Sequence, residues 1–596
     1  MSRKKNSSSP PPASISKSEK SESLGGFRSF RELIESLAIA LVLAFMFKAF
    51  AAEAYVIPTG SMATTLMGQH KDVECAQCGF PFQINASKES NAGAESPDDR
   101  REPQKVLAGT CPQCRYTMYV GDNNPENKIH LTYNGDRIFV NKCCFNFRKP
   151  TRWNVTVFRY PGRPQVNYIK RLVGVENETL RIRHGDIFVK KDGESEFTIQ
   201  RKPFKVLQTM LRPVDDNDYV QPELHKIGWP TRWFFDDDLA WTVSEGMKAF
   251  HSPKTDDGTT TWLIYRNIVP SSEDWRHLSQ SKLPLYGRNK NPQLITDFVG
   301  YNSEIDTRDL TIRREVEGRT DVFCIQSTAN MGVNWVGDLA VSCSLRAEDA
   351  TGTVHLRLVK GGRTFLCSIN IADGAATLWI PGVEEFPIAV AQTPFRPGNT
   401  NNVFFCNIDE ELRLVVNGKE IDFGEEGRYD KLADDLSGPL ARNRPPTKLD
   451  LEPVAVGIQG AVVEVRHLKV LRDIYYIAGE VGDRTSNSIC DLIDSPFNPY
   501  SETRINEVLS DSNQWTDFGK TRTREFKLEK NQYLMFGDNS ACSKDSRLWT
   551  SDGIPYFVDR DFLIGEAVFV YWPHGHRIPG TRLALIPNFT KMRFIR

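Results

Sequence analysis

Three groups of residues in this chain have types and spacing that could do chemistry. The first is Ile57-Pro58-Thr59-Gly60-Ser61-Met62. Pro58 fixes its own φ and Gly60 has no Cβ, so Ser61 sits at a sharp turn where its hydroxyl and its backbone N–H can face one substrate. Taken alone, such a Gly-Ser pair reads as a turn or a linker. The second group is the strand-like run Tyr168-Ile169-Lys170-Arg171-Leu172-Val173. A period of two puts Lys170 between Tyr168 and Leu172 on one face, and Arg171 between Ile169 and Val173 on the other. Either cation would lie on an apolar face, and periodicity does not choose between them. The third group is Cys75-Ala76-Gln77-Cys78 and Cys111-Pro112-Gln113-Cys114, two C-x2-C knuckles with 32 residues between them. Cys75, Cys78, Cys111 and Cys114 have the arrangement of a structural zinc ribbon, with a longer gap than the usual ~15–20 residues. Disulfides are the alternative in an oxidising compartment. A four-thiolate site leaves no open position for water, so it implies no metal cofactor for catalysis.

The elements that must position these groups are bounded by composition. At roughly 150 residues per domain, 596 residues suggest about four units. Lys plus Arg number 75 against 76 Asp plus Glu, a net charge of −1, which lacks the basic excess expected of a nucleic-acid binder. Twelve cysteines are too dilute for a disulfide-stapled scaffold. Residues 1–26 form a Ser/Lys/Pro/Glu tail with few large apolar side chains, which predicts disorder on the cytoplasmic side. Residues 27–53 hold an apolar run whose uncharged core, 36–47, is 12 residues, short of the ~20 of a full span. One reading is a cleaved leader, with Ala49-Phe50-Ala51 as a small-x-small cleavage site and a mature start near Ala52. The other is an uncleaved transmembrane helix, with Glu35 near one end and Lys48 snorkelling at the other. Arg3, Lys4, Lys5, Lys17, Lys20, Arg28 and Arg31 precede the run, which keeps the tail inside.

The segment just beyond the run favours the anchor. AFAAEAYVIPTGSMATTLMG resembles the nucleophile box of the type I signal peptidases, membrane-anchored Ser/Lys serine proteases that remove leader peptides from exported proteins. GDRIFVNKCCFNFRKPTRWNVTVFRYP (135–161), YIKRLVGVENETLRIRHGDIFV (168–189) and GDNSACSKDSRLWTSDGIPYFVDRDFLIGEAVFVYWP (537–573) match the family's further boxes in order. The resemblance implies Ser61 as nucleophile and Lys170 as base. A guanidinium does not release its proton near neutral pH, so chemistry excludes Arg171 from that role. A lysine with an ordinary pKa near ~10.4 needs desolvation or cationic neighbours to act there. The resemblance also implies an oxyanion hole from Thr59 and the Ser61 N–H, with threonine where many relatives carry serine. It makes Ser543 the residue that orients the lysine, supported by an Asp545–Arg547 ion pair with Asp538 nearby. Ser540, Ala541 and Cys542 depart from the Arg, Asp and Asn frequent at those places, and GDNSACSKDSR also suits a polar surface loop. His130 and His184 lie in matched regions without a recognisable motif, which speaks against a His-dependent triad.

The implied fold class is mainly β. A signal-peptidase-like catalytic core, from residues 54–68, 131–192 and 528–596, comes after the helix. Into it are inserted a zinc-ribbon-like module (69–130), a stretch without a chemical motif (193–319), an antiparallel β-sandwich (320–475) and a connector (476–527). The sandwich rests on alternating runs such as GTVHLRLVKG and ELRLVVNGKEIDF, with Asn417-Gly418 as a hairpin turn, and weakly resembles a laminin-G or concanavalin-like jelly roll. A structural or partner-docking role suits it better than glycan binding. The expectation is a single-pass enzyme of the bacterial cytoplasmic membrane with its catalytic domain outside, acting on exported preproteins with small residues at the first and third positions before the cut. The alternative is an inactive membrane-tethered scaffold that binds partners through the ribbon and the sandwich.

Overall fold

The computed structural model describes residues 21–46, 48, 51–90, 103–121, 130–235, 241–255, 258–279, 291–306, 312–316, 319–323, 332–383, 388–435, 438, 440–479, 490–497, 501–573, 575 and 588–596. Most of the expected tail, residues 1–20, and the pair Ala49-Phe50 lie outside the described residues. A helix, Ser21–Met46, begins inside the stretch expected to be tail and carries an Arg31–Glu35 ion pair one turn apart. Among the described residues, no helix is long and apolar enough to cross a membrane. Leu37, Leu41, Val42 and Phe45 on this helix are nonetheless exposed.

Beyond the helix the chain is mainly β, as the alternating sequence runs predict. One antiparallel sheet has the order Ala52–Val56, Arg137–Asn141, Leu563–Trp572, Val155–Tyr160, Arg163–Gly174, Gln532–Phe536, Val558–Asp559. Its strands are rich in Val, Ile, Phe and Tyr, which fit a pleated, buried surface. Ile138, Val140, Val155 and Val157 pack with Ile57, Met62 and Leu66 from the Ser61 segment. Phe158, Tyr160, Leu172, Tyr533 and Trp549 form a second cluster. A four-stranded sheet, Thr198–Ile199, Asp186–Lys191, Glu178–Arg183, Thr523–Leu528, shares a core with Leu534 and Phe536 of the first. The three separated pieces of sequence thus close one β unit.

The inserted strands form two further antiparallel sheets on a common core that includes Leu345, Val354, Leu356, Phe405, Leu414 and Val463. Both sheets recruit strands from 193–319, the stretch to which the sequence assigns no role. Arg212–Asp216 and Ala249–His251 pair with Val463–Arg472, and Thr260–Tyr265 pairs with Val454–Gln459. Ile312–Val316 and Arg319–Phe323 form a separate hairpin.

Lys202 ties the two regions together. It comes shortly after strand Thr198–Ile199 of the four-stranded sheet, and its ammonium lies 2.7 Å from Asp409 Oδ1 and 2.7 Å from Asp473 Oδ2, all three residues buried. Burial alone would lower the ammonium's pKa, but the two carboxylates overturn that and hold it above its ordinary value. Removing the cation leaves two buried carboxylates facing each other. Lys202→Met is expected to destabilise the protein by about 3–5 kcal/mol, seen as a lower denaturation midpoint; a midpoint equal to wild type would contradict this role.

Candidate active site

Ser61 lies in a single 3-10 turn, Gly60–Met62, entered from Thr59 in extended conformation (φ −120°, ψ 160°). The turn packs against strand Arg163–Gly174, whose register with Val155–Tyr160 sets Lys170 opposite Thr156. Lys170 Nζ is 2.6 Å from Ser61 Oγ, with Lys170 4% and Ser61 9% exposed. The Tyr168 ring, two residues earlier on the same face, lies 5.3 Å from Nζ and is stacked on Tyr160. A hydroxyl and an amine at this separation can exchange a proton, and little water reaches them. Thr59 is half-buried, and its hydroxyl makes no capping bond.

Arg171 leaves the other face of the strand. Its Nε and Nη2 donate to Asp538 Oδ1 (2.7 Å) and Oδ2 (2.6 Å), and Nη1 donates to the Trp153 carbonyl at 2.7 Å. A second bidentate pair joins Arg547 to Asp545, at 2.9 and 2.7 Å, and Asp545 also accepts the Gly537 N–H at 2.9 Å. Burial would raise both carboxyls; Arg171 at Asp538, and Arg547 with the Gly537 N–H at Asp545, hold them below the usual carboxylate range. Ser543 is also buried, and Gly537 runs between it and the Ser61 carbonyl, where a Cβ would collide with both. Ser543 Oγ makes no hydrogen bond among the described residues. The lysine-orienting role expected of it is therefore not a contact of this structure.

Two neighbours of the Ser61 turn have no place among the residues singled out from the sequence. Asn539 donates from Nδ2 to the Gly60 carbonyl at 2.9 Å and from its backbone N–H to the Ser61 carbonyl at 3.1 Å. Asn302, from the inserted stretch, pairs with the Asn539 amide. Asn539 stands inside the GDN motif, which is a signal that could have found it; Asn302 has no sequence signal at all. The departure at 540–542 also has a physical reason. Ser540 Oγ accepts the Ile477 N–H at 2.9 Å and an Arg547 N–H at 2.7 Å, and Ala541 packs on Val336, Tyr475 and Ile477. Small residues there make room for the insertion. His184 lies elsewhere, bonded to Thr521 Oγ1 through Nδ1 (3.1 Å) and pushed down to about 3 by burial.

The four cysteines converge. Each knuckle turns through a left-handed residue, Gly79 (φ 73°) and Arg115 (φ 59°), and its first thiol residue bonds across the turn. Cys75 and Cys114 Sγ lie 3.5 Å apart and Cys78 and Cys111 Sγ 3.7 Å apart, all four buried. Tetrahedral zinc with bonds of ~2.3 Å sets its sulfurs about 3.8 Å apart, whereas a disulfide needs ~2.05 Å. The donor set therefore fits a structural metal.

Comparison with known proteins covers the boxes read from the sequence after residue 118. Residues 118–221 and 454–572 match the family profile described as signal peptidase, peptidase S26. Lys170 and the 538–547 residues fall inside those stretches; Thr59, Ser61 and the cysteine knuckles precede them. Signal peptidase I of Pseudomonas aeruginosa is 42% identical over 188 residues, 26% of this chain and 64% of that protein. Signal peptidase I of Pseudomonas fluorescens is 42% identical over 59 residues, 8% of this chain and 21% of that protein. The chain thus spans less than two thirds of these relatives. Among solved structures, a carbohydrate binding module from Bacillus subtilis, CBM66, is 8% identical with a TM-score of 0.21, covering 40% of this chain and 95% of that one. A winged bean acidic lectin has 9% identity and a TM-score of 0.21, covering 41% and 93%. Likenesses at such scores say nothing about a ligand.

The depressed carboxyls set an expected pH dependence. Their stabilisation is fully present above the ordinary aspartate pKa of about 3.9 and is lost as pH falls through the lower folded values. Asp538→Asn should cost about 3–5 kcal/mol at pH 7, because Arg171 is left buried and unpaired, and should flatten the loss of stability below pH 4. Denaturant unfolding from pH 7 to 3 measures both, and equal stability of variant and wild type at pH 7 would refute the pairing.

Proposed function

We propose that this chain, a relative of the type I signal peptidases, is a membrane-bound serine endopeptidase that removes signal peptides from exported preproteins. The observation that carries the proposal is the 2.6 Å separation of Lys170 Nζ and Ser61 Oγ in a buried setting. A neutral Lys170 takes the Ser61 hydroxyl proton as Oγ bonds to the scissile carbonyl carbon. The Ser61 N–H and the Thr59 hydroxyl donate to the oxyanion. The C–N bond then breaks, and the Lys170 ammonium returns its proton to the leaving amine. Lys170 next deprotonates a water that attacks the acyl ester, and Ser61 recovers its proton. Ser543, a buried hydroxyl beside the Ser61 segment, is available to orient the lysine as the ammonium forms and discharges. Small residues at the first and third substrate positions remain the expected specificity.

Helix Ser21–Met46 supports a membrane location. Leu37, Leu41 and Phe45 are 59%, 49% and 67% exposed, an apolar surface that water does not favour and lipid does. The uncharged run is short, so Glu35 and Lys48 would lie toward the headgroups. In this reading the basic residues before it keep the N-terminus in the cytoplasm, with the β unit outside the cytoplasmic membrane of a bacterium. The inserted sheets and the ribbon then lie on the same side as the catalytic unit. Their role in this reading is to support that unit, with zinc holding the two knuckles.

Membranes carrying the wild type should cleave a model preprotein; those carrying Ser61→Ala or Lys170→Ala should lose at least ~10³-fold in rate, on the order seen when a nucleophile or its base is removed. Cleavage that survives both substitutions would mean the active site lies elsewhere. Elemental analysis should find about one zinc per chain, absent when Cys75, Cys78, Cys111 and Cys114 are all serine. No metal, together with an intact mass about 4 Da lower than the reduced chain, would assign two disulfides instead.

A further inference from the structure

The turn Gly300–Asn302 belongs to the inserted stretch, yet it abuts the Ser61 segment. Asn302 is 4% and Asn539 2% exposed, and their amides form a reciprocal pair. Asn302 Nδ2 donates to Asn539 Oδ1 at 2.6 Å, and Asn539 Nδ2 donates to Asn302 Oδ1 at 2.7 Å. The second hydrogen of Asn539 Nδ2 goes to the Gly60 carbonyl at 2.9 Å. An amide has two N–H donors and one carbonyl, so Asn302 both fixes which way Asn539 faces and uses the donor that could otherwise swing away. Next to it, the Tyr301 ring packs so closely on Gly60 that a Cβ there would collide with it. The turn is itself fastened to the cysteine region: Ser303 Oγ accepts the Thr110 N–H at 2.7 Å and donates to the Gly300 carbonyl at 2.6 Å.

The Gly60–Ser61 peptide is trans, so the Gly60 carbonyl and the Ser61 N–H point to opposite sides of one plane. Holding the carbonyl therefore sets the direction of the N–H. We propose that Asn302 is a positioning residue for the reaction: it locks Asn539, which through the Gly60 carbonyl aims the Ser61 backbone N–H at the oxyanion. This rests on the peptidase reading above and makes the insertion part of the catalytic apparatus. An oxyanion donor acts in the transition state, so its misalignment lowers kcat more than it raises KM.

The test uses the full chain in detergent or membranes with a model preprotein, measuring kcat, KM and thermal melting for wild type, Asn302→Ala, Asn302→Asp, Asn539→Ala and the double Ala variant. Asn302→Ala should lower kcat on the order of tenfold or more with KM within about threefold. Asn302→Asp, which can accept from Asn539 but not donate to it, should fall between Ala and wild type. The double variant should be no slower than Asn539→Ala, because the two act in series. A folded Asn302→Ala with kcat within about twofold of wild type overturns the inference, as do multiplicative losses in the double variant. If Asn302→Ala melts before the assay temperature, the same criteria apply to Asn302→Asp. A wild type that cleaves no preprotein overturns the peptidase reading and this inference with it, whereas an active wild type insensitive to Asn302 overturns this inference alone.

Discussion

Burying two consecutive cations on one strand is the constraint around which the rest of the site is built. Lys170 and Arg171 leave opposite faces of strand Arg163–Gly174 and are 4% and 0% exposed. A buried charge is tolerated only where it is paired or can shed its proton. On the Arg171 side Asp538 supplies a bidentate carboxylate, since a guanidinium remains charged. On the Lys170 side stand a serine hydroxyl and the Tyr168 ring, with the Asp545 carboxylate close enough to feel the lysine's charge. One strand thus separates a cation that fixes structure from a cation suited to chemistry. The Asp545–Arg547 pair closes the same wall and steadies the chain through Gly537.

The insertions take part in this wall. Ile477 bonds to Ser540, and Val336, Tyr475 and Ile477 cover Ala541. Tyr301 and Asn302 press on Gly60 and Asn539, and Lys202 fastens the smaller β unit to Asp409 and Asp473. Ser540 and Ala541, which depart from the common family pattern, both meet inserted chain. A small side chain there is matched by a gain of packing, which is how a large insertion can sit beside Ser61 and Lys170 without separating them.

Resemblance to the family's boxes makes Ser61 and Lys170 legible in the sequence, and the C-x2-C spacing does the same for the cysteine knuckles. Alternation puts Lys170 and Arg171 on opposite faces, and the permanent protonation of arginine together with the family resemblance tells them apart; both are buried, each with its own partner. Asn302 is not legible, because its amide pairs with a residue 237 positions away and a lone asparagine has no periodic or motif signal. Three of the strands at 212–265 are hidden for a different reason. Trp233–Phe235, Thr242–Ser244 and Ala249–His251 are three residues each, too short for a period of two to show. Ser543 is assigned by resemblance, and its hydroxyl is buried in the right region without the bond that the assignment implies. The helix starts earlier than composition suggests, because a Ser/Glu/Lys stretch carries little apolar periodicity to mark it.

The most direct test of the Ser/Lys account is to treat intact protein with a serine-directed penem and map the adduct by peptide mass spectrometry. The account predicts a single adduct on Ser61 in the wild type and none in Lys170→Ala under the same conditions. An adduct on another residue, or one on Ser61 that forms as fast without Lys170, would contradict it.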